Sequence, residues 1–152
     1  MTELITRAFQ FRADTIDHEA REIVGVAVPY NRDADIGGDY FERFAPGAVQ
    51  DSDDALLYWR HAEPIGRLIA SENTSDGWQI RARISATALG NDALTLARDG
   101  VVTQLSIGFE SLADEIERRE DGTTVITRTR VRAREVSLVP FGAYADGASI
   151  TE

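Results

Sequence analysis

Short apolar segments that alternate with polar residues recur along the chain, and this recurrence constrains the fold more than any other feature of the sequence. The clearest example runs from Trp78 to Ile84, where every second residue is apolar, as in a strand with one buried face. Clusters of turn residues separate most of these segments, which is typical of sheets with short connections. The sequence therefore predicts strands at Leu4–Phe11, Glu22–Tyr30, Ala55–Arg60, Pro64–Ile69, Trp78–Ile84, Gln104–Phe109, Leu112–Arg118, Thr123–Arg132 and Glu135–Val139.

One segment has the spacing of an α-helix instead. Leu89, Ala93 and either Leu96 or Ala97 recur every three or four residues, as on one face of a helix. Either Thr87 or Asn91 could cap its beginning, and a glycine stands where it would end. Many strands and one clear helix predict a mainly β, α+β fold of the barrel or sandwich type, in a single domain over residues 1–152.

The residue inventory excludes several kinds of site. The chain has no cysteine, so disulfides, zinc–thiolate sites and cysteine nucleophiles are excluded. Lysine is absent as well, and all 16 basic residues are arginines, which excludes Ser-Lys dyads and Schiff bases. The formal net charge of -10 repels phosphate backbones and argues against nucleic acid as a partner.

Charged residues interrupt every apolar stretch, so none has the character of a signal peptide or a membrane span. We therefore expect a soluble protein that is made in the cytoplasm and has no membrane partner. The Asp-rich segment from Asn31 to Tyr40 predicts a loop, but Asp33, Asp35 and Asp39 lack the spacing of a calcium loop. We expect neither a metal ion nor a cofactor.

A serine in the predicted strand Gln104–Phe109 is the first candidate for chemistry. Three apolar residues of that strand point to one side, while Ser106 and Gly108 point to the other. Because Gly108 has no side chain, we expect it to leave the hydroxyl uncrowded and to allow another backbone to approach closely. A lone strand serine is usually an ordinary hydrogen-bonded hydroxyl, so Ser106 becomes a candidate only if a base lies nearby.

A serine hydroxyl is a poor nucleophile at neutral pH and needs a base that a third group holds in place. The chain offers two histidines. His61 falls in a sharp corner between two predicted strands, which is a rigid position, whereas His18 lies in a charged connecting segment where we expect it to be solvated. Since a general base requires rigid placement, His61 is the better candidate.

Glu135 is the candidate for the third group. If Val136 and Leu138 face the core, Glu135 and Ser137 point to the same side of the sheet as Ser106. A carboxylate at that place would accept the second ring N–H of the histidine and thereby hold its tautomer and orientation.

Three alternatives stay open for these residues. Glu135 could be an ordinary surface carboxylate paired with Arg132 or Arg134. Ser137 could be the nucleophile instead of Ser106, but it ranks lower because no glycine follows it. A hydrolase that uses two carboxylates is the weakest alternative, since no pair stands out among the 26 acidic residues.

Four motifs in this chain resemble, in the same order, those of the caudoviral prohead maturation proteases. These are phage serine proteases whose fold is similar to that of the herpesvirus assemblin proteases. The resemblance extends from about Ile23 to Ala145, and the order of the motifs carries it rather than any one of them. The motifs are Glu42–Ala48, Leu56–Arg67 with His61 inside it, Leu105–Phe109 and Glu135–Phe141.

This resemblance implies a closed antiparallel β-barrel surrounded by a few helices. It also implies catalytic roles: Ser106 matches the nucleophile and His61 the base. The phage pattern places an acid near the last strand, which Glu135 matches, where the herpesvirus relatives use a second histidine. In the viral relatives a loop with an arginine supplies a backbone N–H to the oxyanion, and Arg134 or Arg132 lies in the corresponding stretch.

The implied function is that of a serine endopeptidase of phage capsid maturation. Its substrates would be the scaffolding segment of the major capsid protein and the protease itself, inside the prohead in the host cytoplasm. The portal and the capsid shell would be indirect partners, and the helix after Ser85 would be the pairing element of a homodimer. The alternative is a catalytically inactive β-barrel that serves as a scaffold or capsid-binding module of head assembly.

Overall fold

The computed structural model describes residues 4–10, 16–17 and 19–140. These residues form ten β-strands and one α-helix, so the predicted mainly β class is confirmed. In chain order the elements are β1 (Leu4–Gln10), β2 (Ile16–Asp17), β3 (Glu22–Pro29), β4 (Ala34–Ile36), β5 (Tyr40–Phe44), β6 (Leu56–Trp59), β7 (Glu63–Asn73), β8 (Gly77–Ile84), α1 (Ala88–Arg98), β9 (Gln104–Arg118) and β10 (Thr124–Val139).

The strands pair into one curled sheet in the order β1-β9-β10-β6-β7-β8-β3-β2, with β5 on β10 and β4 on β5. The longest strand, β10, has 16 residues and pairs with β5 through one part of its length and with β6 through another. Both of these pairings are parallel, while the other pairings among the described strands are antiparallel. The curl of the sheet brings β3 into contact with β1 and β9.

The described sheet differs from the predicted closed antiparallel barrel with several helices. β1 and β2 occupy the two ends of the strand order, so the described residues form a curled half-barrel. One α-helix, rather than a few, accompanies the sheet in this part of the chain. The two parallel pairings of β10 join segments that are distant in sequence, and alternation along a strand does not specify which strand lies beside it.

Two pairs of predicted strands are continuous in the structure. Gln104–Phe109 and Leu112–Arg118 belong to β9, and Thr123–Arg132 and Glu135–Val139 fall almost entirely within β10. The two long strands are joined by the predicted Asp-Gly turn, whose glycine has a φ of 89°.

Helix α1 lies where the spacing predicts it and contacts β7 and β8. Thr87 is its N-cap, since the Thr87 hydroxyl accepts a hydrogen bond from Gly90 N at 2.9 Å. Asn91, the other candidate cap, instead accepts a hydrogen bond from Arg21 Nη2 at 2.7 Å. Within the described ranges, no helix has the length and apolar character needed to span a bilayer.

One face of the sheet packs on the hydrophobic core, and the opposite face of β9 and β10 carries the candidate site. The core residues of these two strands, all fully buried, include Leu105, Ile107, Phe109, Val136 and Leu138. Because successive residues of a strand point to opposite faces, the polar residues between them lie on the other side. The predicted alternation of these two segments is therefore confirmed.

A buried ion network joins β1, β5 and β10. Glu42 is 2% exposed, and its carboxylate accepts hydrogen bonds from Arg7 Nε at 2.6 Å and from Arg128 Nε at 2.9 Å. Burial by itself would lower the pKa of the Arg128 guanidinium, but the charges of Glu42 and Asp114 outweigh burial, and this pKa is raised. Glu42 is therefore the counter-charge that the two buried arginines share, and Asp114 is a second one for Arg128, at 3.1 Å.

Glu42→Gln is expected to destabilise the fold by about 3–5 kcal/mol, because it leaves two buried arginines without their shared counter-charge. Urea unfolding followed by tryptophan fluorescence measures the change. The control is Glu22→Gln, since Glu22 pairs at 2.8 Å with Arg81, whose side chain is 52% exposed. Loss of that exposed pair should cost less than about 1 kcal/mol. Equal costs for the two variants would contradict the importance of the network.

Candidate active site

His61 lies in a corner directly after β6, and β10 holds its backbone. Arg60 and His61 have φ angles of 52° and 62°. This left-handed conformation costs a non-glycine residue about 1–2 kcal/mol. Arg60 N donates to Leu138 O at 3.1 Å, and His61 N donates to Ser137 Oγ at 2.9 Å. These bonds to β10 fix the direction in which the imidazole leaves the backbone.

The register between β9 and β10 brings the serine and the carboxylate to one place. Ser106 lies opposite Ser137, and Gly108 lies opposite Glu135. Directly opposite residues of an antiparallel pair are close neighbours on the same face. The register therefore sets the hydroxyl of Ser106 beside the two β10 side chains that the sequence predicted to share its face.

The three predicted site residues meet in the structure. His61 Nε2 lies 2.7 Å from Ser106 Oγ, and His61 Nδ1 is hydrogen-bonded to Glu135 Oε1. Since an ionised carboxylate can only accept a hydrogen bond, Nδ1 carries the proton in that bond. Nε2 is then unprotonated and accepts a hydrogen bond from the serine hydroxyl. This arrangement can move the hydroxyl proton to the imidazole and stabilise the resulting imidazolium.

Solvent reaches the imidazole more readily than the two groups beside it. The side chain of His61 is 25% exposed and that of Glu135 is 12% exposed. Ser106 is 1% exposed. Ser106 and Glu135 are thus shielded by the protein, while the imidazole of His61 lies at the opening of the site.

Ser137, the other candidate nucleophile, contacts the backbone of His61 and not the ring nitrogen that faces Ser106. Its fully buried hydroxyl accepts the hydrogen bond from His61 N and donates to Glu135 Oε1 at 3.2 Å. Ser137 therefore ties the backbone of the histidine to the carboxylate. The sequence predicts its face but not this role, because its partner is a backbone N–H 76 residues away.

Gly108 makes room for the carboxylate rather than for the hydroxyl. A Cβ added at this position would lie 2.9 Å from Glu135 Cγ and 3.3 Å from Leu4 Cδ2. The expected close approach at Gly108 is therefore made by the side chain of Glu135 and not by another backbone.

A β-bulge aligns the carboxylate with this glycine. The register of β10 against β9 shifts between Ala133 and Glu135, which makes Arg134 the extra residue of the bulge. Bulges occur next to active sites because they re-aim the side chains that follow them. Here the residue that follows is Glu135.

The side chains of Arg132 and Arg134 bind carboxylates other than Glu135. Arg134 Nη1 lies 3.3 Å from Glu110 Oε1, and Arg132 Nη2 lies 3.0 Å from Asp54 Oδ2. The alternative in which Glu135 is a surface carboxylate paired with one of these arginines is therefore not observed. A role for their backbone N–H groups at an oxyanion stays a prediction.

Some residues named from the sequence lie outside the described part of the chain. They are Phe11 at the end of the first predicted strand, the second histidine, His18, and Phe141 and Ala145 at the end of the family resemblance.

Comparisons with known proteins give a family and a related fold for the chain. The family model described as caudovirus prohead serine protease matches residues 7–152. Among solved structures, the fold is similar to that of the bacteriophage T4 capsid assembly protease gp21, with a TM-score of 0.65 and 10% sequence identity. That match covers 90% of this chain and 96% of the T4 chain. A search of the curated proteins found no match.

Gly108→Ala is expected to displace Glu135 and to break its hydrogen bond to His61, because the added methyl group would occupy the space of the Glu135 side chain. The downfield Nδ1–H signal of the histidine in proton NMR should disappear. In a double-mutant cycle with Glu135→Ala, which removes the obstructing side chain, the stability cost of Gly108→Ala should fall by about 1–2 kcal/mol. An unchanged cost would contradict the assigned role of the glycine.

Proposed function

We propose that this chain, which belongs to the caudovirus prohead serine protease family and is therefore a serine protease, uses Ser106, His61 and Glu135 as its catalytic residues. The observation that carries this proposal is the pair of imidazole contacts. One ring nitrogen of His61 faces the serine hydroxyl at 2.7 Å, and the other is bonded to the glutamate. This is the geometry that turns a serine hydroxyl into a nucleophile.

In the first half of the reaction Ser106 Oγ attacks the carbonyl carbon of the scissile peptide bond. His61 Nε2 accepts the hydroxyl proton, and Glu135 stabilises the imidazolium through the Nδ1–H bond. The tetrahedral intermediate then collapses, and His61 returns the proton to the leaving amine. The products of this half are the released amine and an ester of Ser106.

In the second half water hydrolyses the ester. His61 accepts a proton from the attacking water and then returns it to Ser106 Oγ, which releases the acid and restores the enzyme. We assign the oxyanion to backbone N–H groups near the bulge, at Arg134 or Arg132. Each donor of this kind contributes about 2.7–4 kcal/mol to the stability of the transition state.

The proposed substrates are the scaffolding segment of the major capsid protein and the protease itself, cut inside the prohead within the host cell. The family description, which names the prohead, supports this choice, and the T4 neighbour is described as a capsid assembly protease. Indirect contact with the portal and the capsid shell, and pairing of two copies through α1, remain predictions.

Labelling with a fluorophosphonate probe tests the nucleophile. The wild type and Ser137→Ala should be labelled, because the proposed Ser106 nucleophile is intact in both, whereas Ser106→Ala should not be labelled. Intact-mass spectrometry measures the adduct. Labelling that survives Ser106→Ala would reject Ser106 as the nucleophile, and peptide mapping of the adduct would then identify the labelled serine.

The rates of the variants test the supporting groups. Glu135→Gln should lower kcat by about 100- to 10,000-fold, because the histidine loses the carboxylate that orients it and stabilises its charge. Ser137→Ala should lower kcat by about tenfold with little change in KM, since it removes one hydrogen bond behind the base. Hydrolysis of the acyl-enzyme after a burst is a suitable readout. Wild-type rates in Glu135→Gln would reject its role.

Incubation with the capsid precursor of the same virus tests the substrate. The wild type should cut the precursor at defined positions, and Ser106→Ala should not. Intact-mass analysis of both proteins locates the cuts. Binding without cleavage by the wild type would instead support the inactive scaffold or capsid-binding module.

A further inference from the structure

Two arginines lie directly opposite each other on the face of the sheet that carries the active site. Arg67 in β7 and Arg83 in β8 are paired in register, so their Cβ atoms are about 5 Å apart. Both residues are exposed. Like charges in directly opposite positions destabilise a sheet, so this pair carries a cost that the fold alone does not explain.

Neither arginine has an ion pair among the described residues, whereas most of the other described arginines bind a carboxylate. Glu22 lies opposite Arg83 in β3, but its carboxylate binds Arg81 Nη1 at 2.8 Å. In a chain with 26 acidic residues and 16 arginines, two adjacent guanidinium groups without a carboxylate partner form a local positive site. We call Arg67 and Arg83 the arginine pair.

The arginine pair lies in the same row of side chains as the catalytic acid. Arg67 is opposite Leu56 in β6, and Leu56 is opposite Glu135 in β10. Leu56 is 41% exposed, so an apolar surface separates the acid from the arginine pair. Three strand spacings of about 4.8 Å separate β7 from β9, which places Arg67 about 14 Å from the strand of the nucleophile, and Arg83 in β8 lies one spacing further, at about 19 Å.

We infer that the arginine pair binds an acidic side chain of the substrate, three to five residues from the scissile bond. An extended peptide advances about 3.3 Å per residue, so about four residues cover the 14 Å between the two strands. The intervening substrate residue contacts Leu56. The net charge of the protein is -10 and repels an acidic peptide. A local positive site offsets this repulsion and allows such a peptide to bind. This inference rests on the proposed protease function.

The test is a cleavage profile on a proteome-derived peptide library, read by mass spectrometry. The wild type should cut preferentially where Asp or Glu stands three to five residues from the cut, on one side of it. The double variant Arg67→Gln/Arg83→Gln should lose this preference while it keeps the fluorophosphonate reactivity of the wild type. Arg67→Glu/Arg83→Glu should reverse the preference towards Lys or Arg.

The matched control is Arg118→Gln/Arg119→Gln at the far end of the long hairpin, which removes the same charge. Position 118 is twelve residues from Ser106 along β9, or about 40 Å at about 3.4 Å per residue. This control should keep the acidic preference. For two peptides that differ by Glu or Gln at the selected position, kcat/KM of the wild type should differ by about fivefold, and added salt should reduce the difference.

The protease function and the role of the arginine pair can be rejected separately. A wild type that cuts peptides without any acidic preference overturns the role of the arginine pair and leaves the protease assignment intact. The same holds if the preference persists in Arg67→Gln/Arg83→Gln, or disappears equally in the control. A wild type that neither cuts the library nor reacts with the fluorophosphonate overturns the proposed function and this inference together.

Discussion

The register between β9 and β10 is the constraint on which the rest of the structure depends. It places Ser106 opposite Ser137 and Gly108 opposite Glu135, with the apolar residues between them turned to the core. A slip of one residue in either strand would exchange its two faces, burying polar groups and exposing apolar ones. The same register therefore buries the apolar side chains and brings Ser106 beside Ser137 and Glu135.

β10 is the common support of the site. It pairs with β9, which carries the serine, and with β6, which leads into the histidine, and it carries the glutamate itself. The corner at Arg60 and His61 adopts a costly backbone conformation, and hydrogen bonds to β10 hold it there. At its other end, β10 is held to β1 and β5 by the buried carboxylate of Glu42.

Local patterns in the sequence predict much of this arrangement. Alternation assigns Ser106 and Glu135 to the same face, and the short inventory of bases leaves His61 as the rigid candidate. What local patterns do not contain is the choice of neighbouring strands. The parallel pairings of β10, the open curl of the sheet and the role of Ser137 all depend on contacts between distant segments. Gly108 illustrates the limit. The sequence shows that this position has no side chain, but it does not show that the side chain of Glu135 fills the space.

Because β10 supports the site and is the last described strand, the site can form only late in biosynthesis. A ribosome releases the segments with His61 and Ser106 before it releases residues 135–139, and domains generally fold as units. Until that segment docks, the imidazole lacks its carboxylate, and the backbone N–H of His61 lacks an acceptor. On the proposed assignment of the catalytic residues, a growing polypeptide therefore has no hydrolytic machinery of its own until translation has passed this strand.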